Sequence, residues 1–357
     1  MELDKIKIVA ALRKVTDPQT GSDIISRKMV EELITDGNNI NFTLILPSLQ
    51  SEFKTELIFA CIEKVQEIYP EAQVNVHTKV RNEEMGVKES AVPQIRNIIA
   101  VASGKGGVGK STVSVNLALA LKRLGASVGL LDADLYGPSI PTMLGLQGQR
   151  PMVQEVYGQQ KIVPLEVYGI PVMSLGNIIE PEQAVVLRGP RLAAIIKQFF
   201  QDTLWKELDY LIVDLPPGTG DIQLTLVQTV NVRGAVMVTT PQEVAVVDAV
   251  KAMNMFLLPS INVPILGIVE NMSWFTPEEL PEAKYFLFGQ GGGKRLAREA
   301  NTVLLGQVPL VQSIREGGDN GEPVVLEEST IVADVFMEIA KNLLRQVAVL
   351  NDISQEV

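Results

Sequence analysis

The stretch Ser103-Gly104-Lys105-Gly106-Gly107-Val108-Gly109-Lys110-Ser111-Thr112 restricts this chain more than any other. It follows an apolar run, Ile98 to Ala102, that reads as a buried strand. It opens a segment, Val113 to Leu124, that reads as a helix closed by Gly125. Strand, glycine loop and helix is the context in which curled backbone N–H groups and a helix N-terminus hold phosphate. In that reading Lys110 reaches the β- and γ-phosphates and the Ser111 hydroxyl holds Mg²⁺. Gly104, Gly106 and Gly109, with Asp132 further on, also fit a dinucleotide fingerprint. Lys110-Ser111 separates the two, because a dinucleotide site has no need of a lysine at the helix start. A solvated loop is the poorest reading, since four glycines between a strand and a helix carry an entropic cost that needs a reason.

Two further strand ends belong with this loop. The run Val128 to Leu131 ends in Asp132-Ala133-Asp134. The run Tyr210 to Val213 ends in Asp214-Leu215-Pro216-Pro217-Gly218-Thr219-Gly220-Asp221. An apolar strand ending in Asp beside a phosphate loop reads as a Walker B element, with Asp214 in the Mg²⁺ shell. Gly218 is then placed to donate its backbone N–H to the γ-phosphate. Each aspartate taken singly reads equally well as a polar strand cap. Three strand ends converging on one loop weaken that reading.

The remaining strand candidates are Ala235–Thr239, Ile265–Val269 and Val303–Leu305, all continuously apolar, as parallel strands covered on both faces are. Helical segments separate them, including Leu192–Trp205, Val244–Leu258 and Ala333–Val347. Residues 95–357 are therefore expected to form a doubly wound, mostly parallel α/β domain. Residues 1–82 read as a small α+β domain: a helix over Ile6–Val15, two strands from Met29 to Leu46 about Asp36-Gly37-Asn38-Asn39, a helix over Phe53–Tyr69 and a strand over Gln73–Val80. The polar stretch 83–94 reads as the linker.

With 357 residues, 46% hydrophobic and 20% charged, the composition is that of a globular protein. A net charge of −11 argues against broad binding to a phosphate backbone, so no nucleic-acid partner is expected. No apolar run reaches membrane-spanning length and the N-terminus lacks the pattern of a signal peptide, so a cytoplasmic location and no membrane partner are expected. The single cysteine, Cys61, lies on the apolar face of its helix and reads as a buried small hydrophobe. The single histidine, His77, falls on the polar face of an alternating strand and reads as a surface residue.

Lys105, early in the loop, matches the signature lysine of the deviant Walker A ATPases, the class of MinD, ParA and the nitrogenase iron protein. The motifs Leu131 to Pro141, Arg188-Gly189-Pro190, Asp214 to Asp221, Glu270-Asn271-Met272-Ser273 and Phe288-Gly289-Gln290-Gly291-Gly292-Gly293 resemble the Mrp/ApbC family of iron–sulfur cluster carrier ATPases over about residues 95–345. Residues 1–82 resemble the MIP18-like domain fused to many members. The resemblance implies slow ATP hydrolysis by a nucleotide-sandwich homodimer, with iron–sulfur client or scaffold proteins as partners. It implies that Lys105 contacts the partner protomer's phosphates, Asp134 places the attacking water and Asn271 recognises adenine. It also implies a [4Fe–4S] cluster bridged by Cys-Pro-x-Cys pairs after the Asn-Met-Ser segment. Trp274 to Tyr285 has no cysteine, and neither has Leu46 to Glu52, where many relatives carry another. A cluster-free switch ATPase in the manner of MinD or ParA is thus the competing reading. A nitrogenase-like reductase fails on the cysteine count. Arg315 to Pro323 also resembles the family and reads as a glycine-rich turn.

Overall fold

The computed structural model describes residues 4–355 apart from 19–21, 28, 47–52, 81–91, 135–136, 157, 178–188, 278 and 281. Most of the expected linker, Leu135-Tyr136, Arg188 and Pro47 to Glu52 thus lie outside the described residues. The chain divides into two compact units, Met1–Val87 and Lys88–Val357.

In the first unit, α1 (Lys5–Leu12) begins where the Asp4 carboxylate accepts the Ile6 N–H at 2.8 Å. Strands β1 (Val30–Asp36) and β2 (Asn39–Leu46) form the expected antiparallel hairpin, with Gly37 at φ +57° in its turn. Helix α2 (Lys54–Gln66) leads to β3 (Gln73–Val80), which pairs parallel to β2. One core gathers Ile8 and Leu12 of α1, Phe42 and Leu44 of β2, and Leu57, Cys61 and Val65 of α2. His77 is exposed on β3, an edge strand.

The second unit is built on β4 (Ile95–Ala102), whose side chains alternate between two buried layers. Ile98, Ala100 and Ala102 enter one core, and Ile99 and Val101 enter the other. That is why the strand reads as one apolar run and not as an alternation. On one face it is covered by α3 (Lys110–Arg123) and by α10 (Ile331–Gln355), which contributes Phe336, Ile339 and Leu343. On the other lie α5 (Gly189–Asp202), α6 (Asp221–Thr229), α7 (Glu243–Phe256) and α8 (Gly292–Glu299). Burying each large side chain such as Phe336 stabilises the unit by about 1.5–3 kcal/mol. The chain leaves α3 through Gly125 at φ +94°, with Lys122 and Arg123 in the last turn opposing the dipole.

The sheet has eight strands. They are β4, β5 (Val128–Asp132), β8 (Leu165–Val167), β9 (Ile170–Ser174), β10 (Leu208–Asp214), β11 (Val232–Thr239), β12 (Ile265–Glu270) and β13 (Leu304–Gln307). Their order is β13-β12-β11-β4-β10-β5-β9-β8, with only the β8–β9 pair antiparallel. The doubly wound, mostly parallel expectation is met. Strands β8 and β9 and the separate hairpin of β6 (Met152–Val156) and β7 (Gln159–Val163) carry no clear period and were not foreseen. The expected glycine-rich turn at Arg315–Pro323 is instead mostly helix, α9 (Gln312–Asn320), capped by Gly321 at φ +76°. The Glu322 carbonyl occupies the space of a Cβ on Gly317, so this glycine serves packing and not a turn. The short α4 (Ile140–Met143) completes the set.

Candidate nucleotide site

β4 delivers the glycine loop at the carboxyl edge of the sheet, where ligands of open α/β folds sit. The loop ends at Gly109, the N-cap of α3, at φ +81°, and Gly107 has φ +80°. A Cβ on Gly104 would collide with the Asp248–Ala249 backbone of α7. The loop therefore needs glycine for conformation at two positions and for close approach at a third. Lys105 and Gly106 are exposed and Val108 is buried beneath them. Lys105 is anchored by its backbone, where the carbonyl accepts the Ser103 hydroxyl at 3.0 Å. Thr112 is half-buried in the first turn of α3.

β10 lies between β4 and β5, with Asp214 level with Val101 on one side and Asp132 on the other. Three donors of the α3 N-terminus converge on Asp214, which is fully buried. Ser111 Oγ donates to Oδ2 at 2.6 Å and Ser114 Oγ to Oδ1 at 2.6 Å, and Lys110 Nζ lies 2.8 Å from Oδ2. Ser114 escaped the sequence reading although it stands one turn beyond Lys110 and so faces the same way.

Asp132 is also fully buried. It accepts the Asp134 N–H at 3.0 Å and the hydroxyl of Ser174, at the end of β9, at 3.1 Å. Burial, and then the Asp214 carboxylate, push its carboxyl up to about 8. Asp134 is half-buried and accepts the Gly137 N–H at 3.2 Å.

The loop after β10 leans on the phosphate loop. The Gly218 N–H donates to the Ser103 carbonyl at 2.8 Å, with Gly218 at φ +93°. Gln223, in the first turn of α6 and fully buried, donates to the Pro216 carbonyl. Its Oε1 has no partner among the described residues.

β12 ends in Glu270, and Asn271 follows. The Asn271 amide donates to the Val108 carbonyl at 2.9 Å, and its backbone N–H to Thr239 at 2.8 Å. Glu270 is buried and accepts Ser273 Oγ at 3.0 Å, Gln307 Nε2 at 2.6 Å and the Gly293 N–H at 2.6 Å. The carboxylate thus caps the N-terminus of α8, which makes the Phe288–Gly293 motif a helix start docked on Glu270. Asp214, Asn271 and the loop, far apart in sequence, meet at one edge. The arrangement offers a helix N-terminus, backbone N–H groups and a lysine to an anion. Ser111 and Asp214 offer oxygen donors, which fit Mg²⁺ beside phosphate.

Residues 94–344 match the family described as NUBPL iron-transfer P-loop NTPase, and residues 5–77 the family described as iron-sulfur cluster assembly protein. The chain belongs to the iron-transfer P-loop NTPase family. Among its relatives is the iron-sulfur cluster carrier protein of Synechocystis, 44% identical over 96% of this chain and 97% of that one. A nucleotide-binding protein of Archaeoglobus fulgidus, solved with ADP, is 37% identical and matches 69% of this chain and 94% of its own with a TM-score of 0.58. The cell division ATPase MinD of Pyrococcus furiosus shares the fold, at 22% identity and a TM-score of 0.50 over 70% of this chain and 98% of that one. Family membership does not supply cluster ligands. Iron–sulfur clusters are held by thiolates, and the only cysteine, Cys61, is 0% exposed in the core of the first unit. The residues present fit a nucleotide with Mg²⁺ and do not fit a cluster.

Proposed function

We propose that the chain binds ATP with Mg²⁺ and hydrolyses it slowly as a nucleotide-sandwich homodimer serving iron–sulfur cluster assembly or transfer. The observation that carries this reading is the convergence of Lys110, Ser111 and Ser114 on Asp214 beside the glycine loop. Gly104 to Thr112 cradle the phosphates, with Lys110 turning from Asp214 to the β- and γ-oxygens. Ser111 and Asp214 hold Mg²⁺, which when bound neutralises phosphate charge. The Gly218 N–H exchanges the Ser103 carbonyl for the γ-phosphate. Asp134 orients the attacking water, and Asn271 presents its carbonyl oxygen to adenine while its amide stays on Val108. Lys105, exposed at the loop tip, reaches the partner protomer's phosphates, so hydrolysis waits on dimer closure. Oxyanion stabilisation of this kind is the largest lever on phosphoryl transfer.

The division into 1–82, 83–94 and 95–357 belongs to this proposal, as do iron–sulfur client or scaffold partners and a cytoplasmic location. Among the described residues no helix is long and apolar enough to cross a membrane. The reading includes neither a membrane nor a nucleic-acid partner. Titration of a fluorescent ATP analogue with and without Mg²⁺, on wild type and Lys110→Ala, tests the site. Unchanged affinity in the variant would overturn it.

A further inference from the structure

We infer that the cluster served by this chain is held by thiolates of partner proteins and never by side chains of the chain itself. The inference rests on the proposed role in cluster transfer. It follows from a census of donors. Holding a cluster takes four ligands, in most proteins all thiolates and in a minority two imidazoles with two thiolates. The chain has one cysteine and one histidine, so even a dimer reaches four only by using every copy of both.

The fold denies that combination. Cys61 lies inside α2 with Leu57 and Val65, against Ile8, Leu12 and Phe42, and has no exposed surface. Burial pushes its thiol up to about 12, so the thiolate that iron requires is scarcely populated near neutrality. His77 points to solvent on β3. Two imidazoles from two protomers leave half of a cluster's positions unfilled. Within one chain carboxylates do not make up the number, because no three His, Cys, Asp or Glu side chains among the described residues are placed to share a metal.

The two ends of the segment after Asn271 are joined by protein contacts. Phe275 and Tyr285 exchange backbone hydrogen bonds at 2.8 and 2.9 Å, and the Lys284 ammonium sits 4.2 Å from the Trp274 ring centroid. A backbone bridge and a cation–π contact tie the two ends of the segment together. Handing over a cluster is then an exchange of thiolates between partners, in which this chain forms and breaks no bond to iron. Its own contribution is the nucleotide-dependent change at the sheet edge.

The test is anaerobic incubation of the full chain with ferrous iron, sulfide and dithiothreitol, then desalting and measurement of iron, acid-labile sulfide and visible absorption. Wild type, Cys61→Ala and His77→Ala are compared, with thermal unfolding followed by circular dichroism to certify the first unit and ATP-analogue binding to certify the second. The expected result is loss of all iron on desalting in every sample that binds nucleotide. Stoichiometric cluster in wild type overturns the inference, whether Cys61→Ala abolishes it or keeps it. A second arm gives the chain a glutathione-held cluster as donor and an apo-ferredoxin as acceptor. An iron-free chain that speeds transfer severalfold with ATP supports the inference. An iron-free chain that leaves the rate unchanged overturns the cluster-transfer reading instead, and with it the assignment to partner thiolates.

Discussion

Asn271 holds the phosphate loop from across the sheet. Its amide donates to the Val108 carbonyl at 2.9 Å and fills the space in which a side chain on Gly109 would have to sit. The loop is shaped by a residue that follows a different strand, and its glycines answer to that contact as much as to a nucleotide.

Gly109→Ala should therefore abolish nucleotide binding. The Cβ would displace Asn271, and φ +81° adds about 1–3 kcal/mol of backbone strain. Titration with a fluorescent ATP analogue checks this. An affinity within a factor of two of wild type would refute the contact's role.

The two loop lysines should fail differently. Lys110→Ala should weaken triphosphate binding by about 10- to 100-fold, the worth of a charge-assisted hydrogen bond of about 1.5–3 kcal/mol. On the proposed reading, in which the exposed Lys105 acts across a dimer, Lys105→Ala should bind ATP normally yet lose hydrolysis. Normal turnover by Lys105→Ala would remove the trans-acting role.

Glu270→Ala should be among the most destabilising single changes in the second unit. It strands the buried Gly293 N–H, at about 1–3 kcal/mol, and the half-buried Gln307 amide, while the Ser273 hydroxyl keeps the Glu270 backbone carbonyl at 2.8 Å. Chemical denaturation followed by Trp fluorescence measures the loss, and Glu270→Gln should recover part of it.

Gln223→Leu separates stability from turnover. The change leaves the buried Pro216 carbonyl unpaired, at about 1–3 kcal/mol, but also removes an acceptor that has no partner among the described residues, so the two effects offset in part. The loop carrying Gly218 loses its tether, so kcat should fall while nucleotide affinity holds. A parallel loss of affinity would mean that Gln223 supports the phosphate loop itself.

Cys61 sets an alkaline limit on the first unit. Its thiol ionises near 9.0 in an unfolded chain and near 12 in the native core. Below pH 9 both states keep the proton and the group is silent. Above it the unfolded chain binds fewer protons, so stability falls as pH rises from about 9 towards 12. Thiol-directed reagents should leave native protein unlabelled at neutral pH and react in denaturant. Prompt native labelling would contradict the core placement.

Much of this protein was determined by sequence alone, because the relevant chemistry is local in the chain. A lysine and serine at the end of a glycine loop, between an apolar run and a helix, define a phosphate site without distant help. Strands buried on both faces announce themselves as unbroken apolar runs, and Asp132 and Asp214 stand at their ends. What the tertiary structure decided are pairings across long stretches of chain, to which no local pattern is sensitive. Asn271 reaches Val108, Asp214 collects three donors from α3, and Glu270 joins the Asn-Met-Ser segment to the Phe288–Gly293 glycines. Ser174 meets Asp132 only because β9 pairs with β5. Gly317 and Gly318 sit in a helix, where the Glu322 carbonyl packs on Gly317, a contact invisible to propensity. Composition counted one cysteine, but its inaccessibility is a property of packing, since only the assembled core removes it from solvent.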